Sequence, residues 1–233
     1  MDRPLHRATM HAFTIALLIL AAAWYGAGVR RLWARAGAGR GVTPWHAASF
    51  TAGMLVLAGT ALAPFDALLW SHMVQHELLM VVAAPLLVLG RPMVALARIV
   101  PLRLPRALGE PLIAWALHAA AICAWHVPSV FVAATASEPL HFAQHASFLA
   151  SALLFWWMVF ARRDLSALIA LFGTMLYTGA LGALMTFSRA PWYAGYALAD
   201  QTLAGLVMWI PAGLAYPAAA LYIGSRWLAR SPA

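Results

Sequence analysis

Seven times along this chain an almost uncharged apolar run passes, and the basic residues are confined to the short stretches between those runs. A bilayer core about 30 Å thick takes about 20 apolar residues of helix at about 1.5 Å per residue, so each run is long enough to cross. The expected spans lie near 10–29, 45–63, 68–89, 111–127, 141–161, 165–187 and 200–225. The expected fold is therefore all-α: a polytopic transmembrane helical bundle of about seven spans, forming one integral membrane domain over residues 1–233. Helices are the economical solution in lipid because they satisfy every backbone polar group within the segment.

Helix-end chemistry supports these divisions. Pro44 precedes the second run, Pro111 opens the fourth and Pro128 closes it, and Ser137-Glu138-Pro139 introduces the fifth. Pro211 and Pro217 inside the last run predict a bend. The first run, Met10 to Val29, follows Arg3 and Arg7 as a signal peptide would, but it is long for one and Arg30-Arg31 follows at once; it reads as a retained span.

With 64% hydrophobic and 9% charged residues, the chain is too apolar for a single water-soluble core. One cysteine, Cys123, excludes an intrachain disulfide framework and any multi-cysteine zinc or iron–sulfur motif. The net charge of +8 invites a nucleic-acid reading, but all 15 basic residues are arginines placed between apolar runs, a pattern that encodes topology. Twelve of them (Arg30, Arg31, Arg35, Arg40, Arg91, Arg98, Arg103, Arg106, Arg162, Arg163, Arg226 and Arg230) fall in one set of alternating connections. Only Arg3, Arg7 and Arg189 fall in the other. The positive-inside rule puts the twelve in the cytoplasm, the N-terminus outside and the C-terminus inside.

Against that background the histidines are informative, because polar groups at membrane depth line a cavity, pair or bind something. Five of nine gather at the outer ends of three spans: His72 and His76, His126, and His141 and His145. His72/His76 and His141/His145 are i, i+4 pairs, stacked on one helix face about 6 Å apart, close enough to share a small cation. Met73, Met80, Met185, Met208, Glu77 and Asp200, with Gln201, lie at the same level or one to two turns deeper. Imidazole with thioether suits copper, and a carboxylate at Glu77 or Asp200 would ligate or hold a ring N–H.

Each of these groups also has a plainer reading. One helix-end histidine pair is explained by hydrogen bonds to water or headgroups; two pairs, a fifth histidine and two acids at one level favour a site. His118 lies about 12 Å below His126 by helical rise and reads as a buried hydrogen-bonding residue or a deeper relay point. His46, His6 and His11 read as peripheral, and Cys123 as a small buried hydrophobe. Most methionines read as packing, and Trp45, Trp70, Trp125, Trp192 and Trp227 as an interfacial belt. Trp156, Trp157 and Trp209 lie deeper. Nothing places a nucleophile, base and orienting group at a catalytic spacing, so an enzyme is not expected.

Three ordered blocks carry a family resemblance. The first is His72-Met73-Val74-Gln75-His76-Glu77-Leu78-Leu79-Met80 with Ala84-Pro85-Leu86 and Gly90-Arg91-Pro92. The second is Trp125-His126-Val127-Pro128, His141-Phe142-Ala143-Gln144-His145 and Phe155-Trp156-Trp157. The third is Asp200-Gln201 and Gly205-Leu206-Val207-Met208-Trp209-Ile210-Pro211. Over about residues 70–225 the chain resembles the integral-membrane CtaG family, assembly factors of caa3-type cytochrome c oxidase. It does not resemble the single-span copper chaperone that shares the CtaG name.

The resemblance implies a multi-pass protein of the bacterial cytoplasmic (inner) membrane that acts on cytochrome c oxidase subunits, with copper delivery as its role and periplasmic copper chaperones as further partners. It implies His72, His76, His126, His141, His145 and Asp200 as the polar positions; Glu77, Met73, Met80 and Met208 are further donors by their placement along the spans. Alternatives from other classes remain open at this point: a haem-binding or haem-handling redox protein using facing histidines, a copper or proton conduit through Glu77, His118 and Asp200, and a metal-free assembly scaffold.

Overall fold

The structure is a computed structural model that describes residues 3–63, 65–100 and 105–229. Arg103 and Arg230 lie outside the described residues, as do the side chains of Arg3, His6, Arg7 and Arg106. Among the described residues all regular structure is helical. The helices are α1 (Arg3–Ala36), α2 (Pro44–Leu62), α3 (Leu69–Leu89), α4 (Pro92–Leu96), α5 (Pro111–Trp125), α6 (Pro128–Ala136), α7 (Glu138–Arg162), α8 (Leu165–Phe187) and α9 (Leu198–Leu228).

Six of these, α1, α2, α3, α7, α8 and α9, are long and apolar enough to cross a membrane by themselves. The fourth expected span is the exception. α5 has 15 residues, a rise of about 22 Å, which falls short of a bilayer core of about 30 Å. α5 ends within two residues of the expected 111–127, and at Pro128 the chain turns through 76° into α6; the two helices together are apolar enough for one span. Proline is the physical reason, because its ring disfavours helical backbone in the residue before it. Val127 is accordingly extended, at φ −61° and ψ 125°.

Outward faces are apolar throughout: Leu55, Leu112, Phe187, Leu214 and Leu221 are each at least 68% exposed. In a membrane these contact lipid chains, so the chain is a multi-pass membrane protein. Inside, Trp156 stacks between Tyr216 and Phe160, and Tyr25 stacks on Phe50 while its hydroxyl donates to the Gly90 carbonyl at 2.7 Å. Close approach of α8 and α9 requires small residues. A Cβ on Gly205 would stand 2.5 Å from the Gly182 carbonyl oxygen and 2.4 Å from Thr186 Oγ1.

The arginine-rich end is tied by local polar chemistry. Thr43 and His46 form a reciprocal capping box at the start of α2, which gives the peripheral His46 a structural role. Asp164 caps α8 by accepting from the Ser166 and Ala167 amides at 3.0 and 3.3 Å, and Ser166 also donates its hydroxyl. That hydroxyl above all, with the two amides and Arg162 and against a smaller opposing effect of burial, holds the Asp164 carboxyl below the usual aspartate range. Glu110 at the start of α5 pairs with Arg162 at the end of α7, 3.4 Å away.

α3 contains one wide turn. From Leu78 to Ala83 the backbone follows a π-helical path, with the Ala84 amide reaching the Leu79 carbonyl. Pro85 follows at once, and it has no N–H to donate and a ring that crowds the preceding turn. The wide turn absorbs that conflict. The Met80 carbonyl accepts a bond from the Trp156 indole at 2.9 Å. This locks α3 to α7 one turn below His76.

Candidate metal centre

All five outer histidines meet. His72 and His76 come from the first turns of α3, His141 and His145 from the first turns of α7, and His126 from the residue after α5. His72 has its ring centroid 4.4 Å from that of His76, 5.1 Å from His141 and 5.6 Å from His145. His141 and His145 are 4.2 Å apart, and His76 is 5.1 Å from His145 and 6.1 Å from His126. Each i, i+4 spacing sets two rings edge-on to each other, and the packing of α3 against α7 joins the two pairs into one cluster.

Within it, His72, His141 and His145 each offer a ring nitrogen, and these three atoms lie within 4.8 Å of one another. His72 is buried and the other two are half-buried. A trigonal set of imidazoles at about 2.0 Å from an ion has nitrogens about 3.5 Å apart, so small side-chain rotations would close this group onto one ion.

His76 and His126 form the inner part of the cluster. His126 donates Nδ1–H to the Ile122 carbonyl at 2.7 Å, which leaves its Nε2 as the lone-pair nitrogen of the neutral ring. That Nε2 and both ring nitrogens of His76 are buried with no hydrogen-bond partner among the described residues. Buried polar atoms are almost always partnered, so orphaned ones ask for a ligand. Phe148 packs against the His76 ring at 4.7 Å and Phe131 against His72 at 5.3 Å.

The other expected donors sit in their own surroundings. Asp200 accepts from the Leu69 amide at 2.9 Å and the Trp70 amide at 3.1 Å, so both carboxylate oxygens cap the start of α3. Met73, Met185 and Met208 are buried in a separate apolar cluster with Leu69, Phe131 and Tyr193. Met80 belongs to the main core. Glu77 is buried, with its Oε2 unpartnered among the described residues. His118 bonds Ser151 at 3.1 Å and stacks on Phe155, as a buried hydrogen-bonding residue should. Cys123 is exposed on α5, not buried as expected, because it falls on the outward face one residue past the buried Ile122.

Tyr193 contributes without a sequence signature. The Tyr193 hydroxyl, in the loop between α8 and α9, donates to the His126 carbonyl at 3.0 Å. Gln201 holds that loop by accepting from the Trp192 amide and donating to the Met185 carbonyl. A cavity of about 440 Å³ reaches His141 and His145 from the side, and His11, Thr14 and Gln75 also line it. His11, expected to be peripheral, therefore stands on the approach to the cluster.

A comparison of the whole chain with protein-family models matches residues 23–230 to the cytochrome c oxidase caa3 assembly factor family. The chain belongs to that family. Membership of the caa3 assembly-factor family covers all five clustered histidines and Asp200, and it extends N-terminally beyond residues 70–225 to take in α2 and the second half of α1. Comparisons with curated proteins and with solved structures give no match.

Proposed function

We propose that this caa3 assembly factor collects a copper ion at His72, His141 and His145 on the outer side of a bacterial cytoplasmic membrane and releases it to an oxidase subunit. The observation that carries this reading is the convergence of three ring nitrogens from two helices within 4.8 Å. Imidazole accommodates both oxidation states of copper, so the ion can arrive or leave in either. His76 and His126 stand next to the three, 5.1 Å from His145 and 6.1 Å from His76 respectively, and offer a second rung. Ligands can then be exchanged one at a time, which suits cargo that must be handed on. Periplasmic copper chaperones would be the donors, and the half-buried His141 and His145 face the lateral cavity through which an ion would pass.

Imidazole rings in mutual contact favour a small ion over haem, because a macrocycle needs a flat gap between its axial ligands. Asp200 acts in this reading by fixing the start of α3, and so the direction of His72, without touching the ion.

The test is metal analysis of purified protein and of the oxidase matured beside it, wild type against a His72→Ala/His141→Ala variant. Copper should fall to background in the variant and oxidase copper should fall with it. Equal copper in both proteins would overturn the proposal, and normal oxidase maturation with no copper on either protein would leave a metal-free scaffold. A Soret band in the wild-type spectrum would point to haem.

A further inference from the structure

At the opposite end of the bundle a second cavity, of about 480 Å³, opens between the end of α3, α4 and α7. Much of its wall is apolar, including Val88, Leu153, Trp157 and Phe160, and Arg91, Arg163 and His46 also line it. We propose that this groove binds an anionic phospholipid, its phosphate held by Arg91 and Arg163 and its upper acyl chain laid along Trp157 and Phe160.

The charge here is uncompensated. Glu110 is committed to Arg162, and the Asp164 carboxylate turns back to cap α8. No carboxylate pairs with Arg91 or Arg163 among the described residues. Each guanidinium is nonetheless aimed. Arg91 donates one Nη1 bond to the Gly41 carbonyl at 3.1 Å, and Arg163 donates Nε–H to the Phe160 carbonyl at 2.7 Å. A guanidinium has five N–H donors, so each arginine keeps donors in the fork geometry that matches a phosphate.

The backbone adds an independent observation. Arg91 and Arg163 are the two non-glycine residues with positive φ among those described, at 54° and 52°. Glycine occupies this left-handed region at less cost, and Arg163 sits at the end of α7 where glycine is the usual choice. An arginine at both places keeps a side chain where the backbone alone would favour none. The site also lies at the arginine-rich end, where the positive-inside rule places the cytoplasmic leaflet with its anionic lipids.

The experiment uses the full chain in mild detergent, with retained lipid counted by native mass spectrometry and thermal unfolding followed as phosphatidylglycerol, phosphatidylcholine or inorganic phosphate is added. Phosphatidylglycerol should be retained and should raise the unfolding temperature, whereas phosphatidylcholine and inorganic phosphate should not. Arg91→Gln/Arg163→Gln should weaken phosphatidylglycerol binding about tenfold or more, and Arg31→Gln/Arg35→Gln, at the same end but outside the groove, should leave it unchanged. Arg163→Gly relaxes the backbone, so it should fold at least as well as the wild type and still lose the lipid. Equal effects of the two lipids, a shift reproduced by inorganic phosphate, or undiminished lipid on Arg163→Gly would each overturn the proposal. None of these readouts depends on copper.

Discussion

The two ends of the bundle use their polar residues in opposite ways. At the histidine end imidazoles turn inward, and three of the five are almost fully buried against aromatic rings. At the other end arginines turn outward, and Arg30, Arg31, Arg35, Arg91 and Arg162 are exposed. One end gathers imidazoles inside the protein; the other displays cations on its outside. A capping aspartate at each end differs in the same sense. Asp164 caps its own helix two and three residues on, whereas Asp200 caps a helix about 130 positions away in sequence.

The largest expected effect separates the ends outright. His72→Ala should bring bound copper to background, while Arg91→Gln should leave copper at the wild-type level; metal analysis of the two purified variants checks both. If Arg91→Gln also lost copper, the ends would not be independent.

Helix packing near the histidine end comes next. Gly205→Ala forces a methyl against the Gly182 carbonyl and Thr186, and overpacking of this kind costs about 1–3 kcal/mol. Gly213 in the same helix has no heavy atom within 4 Å of a built Cβ, so Gly213→Ala should be neutral or should gain up to about 1 kcal/mol of helix propensity. Denaturation in one detergent compares them, and equal midpoints would show that α8 and α9 are not in close contact there.

Asp200→Ala asks whether this carboxylate caps or ligates. Two charge-assisted bonds to backbone amides are lost, so stability should drop by about 2 kcal/mol, with copper reduced but present. Copper at background, as in His72→Ala, would make Asp200 a ligand.

The smallest effect belongs to Asp164→Ala, about 1 kcal/mol for a lost N-cap. Because the folded protein holds this carboxyl below its ordinary range, its contribution is full at neutral pH and fades as the pH falls through the depressed value. Wild type and variant should therefore converge in stability at acid pH. A difference that persisted there would assign the effect to packing.

Much of this molecule is legible in one dimension because the bilayer dictates it. Apolar length sets α2, α3, α7, α8 and α9 to within a few residues, and arginine spacing sets which ends share a side. The Asp164 cap, the stop at Pro128 and both histidine pairs are local events over two to four residues. Local periodicity carries them.

Other features depend on contacts between distant segments. Convergence of His72, His141 and His145 requires α3 and α7 to pack with their first turns level, and sequence spacing says nothing of that register. The 76° turn after α5 and the reach of Tyr193 to the His126 carbonyl place the fifth ring. Packing gathers Met73, Met185 and Met208 into an apolar cluster with Phe131 and commits both Asp200 carboxylate oxygens to backbone amides. A membrane bundle with histidines at one end and arginines at the other follows from residue order, since the hydrophobic effect and membrane charge asymmetry act on residues one at a time. Which of those histidines can share an ion was decided by side-chain packing, which acts on pairs that only the fold brings together.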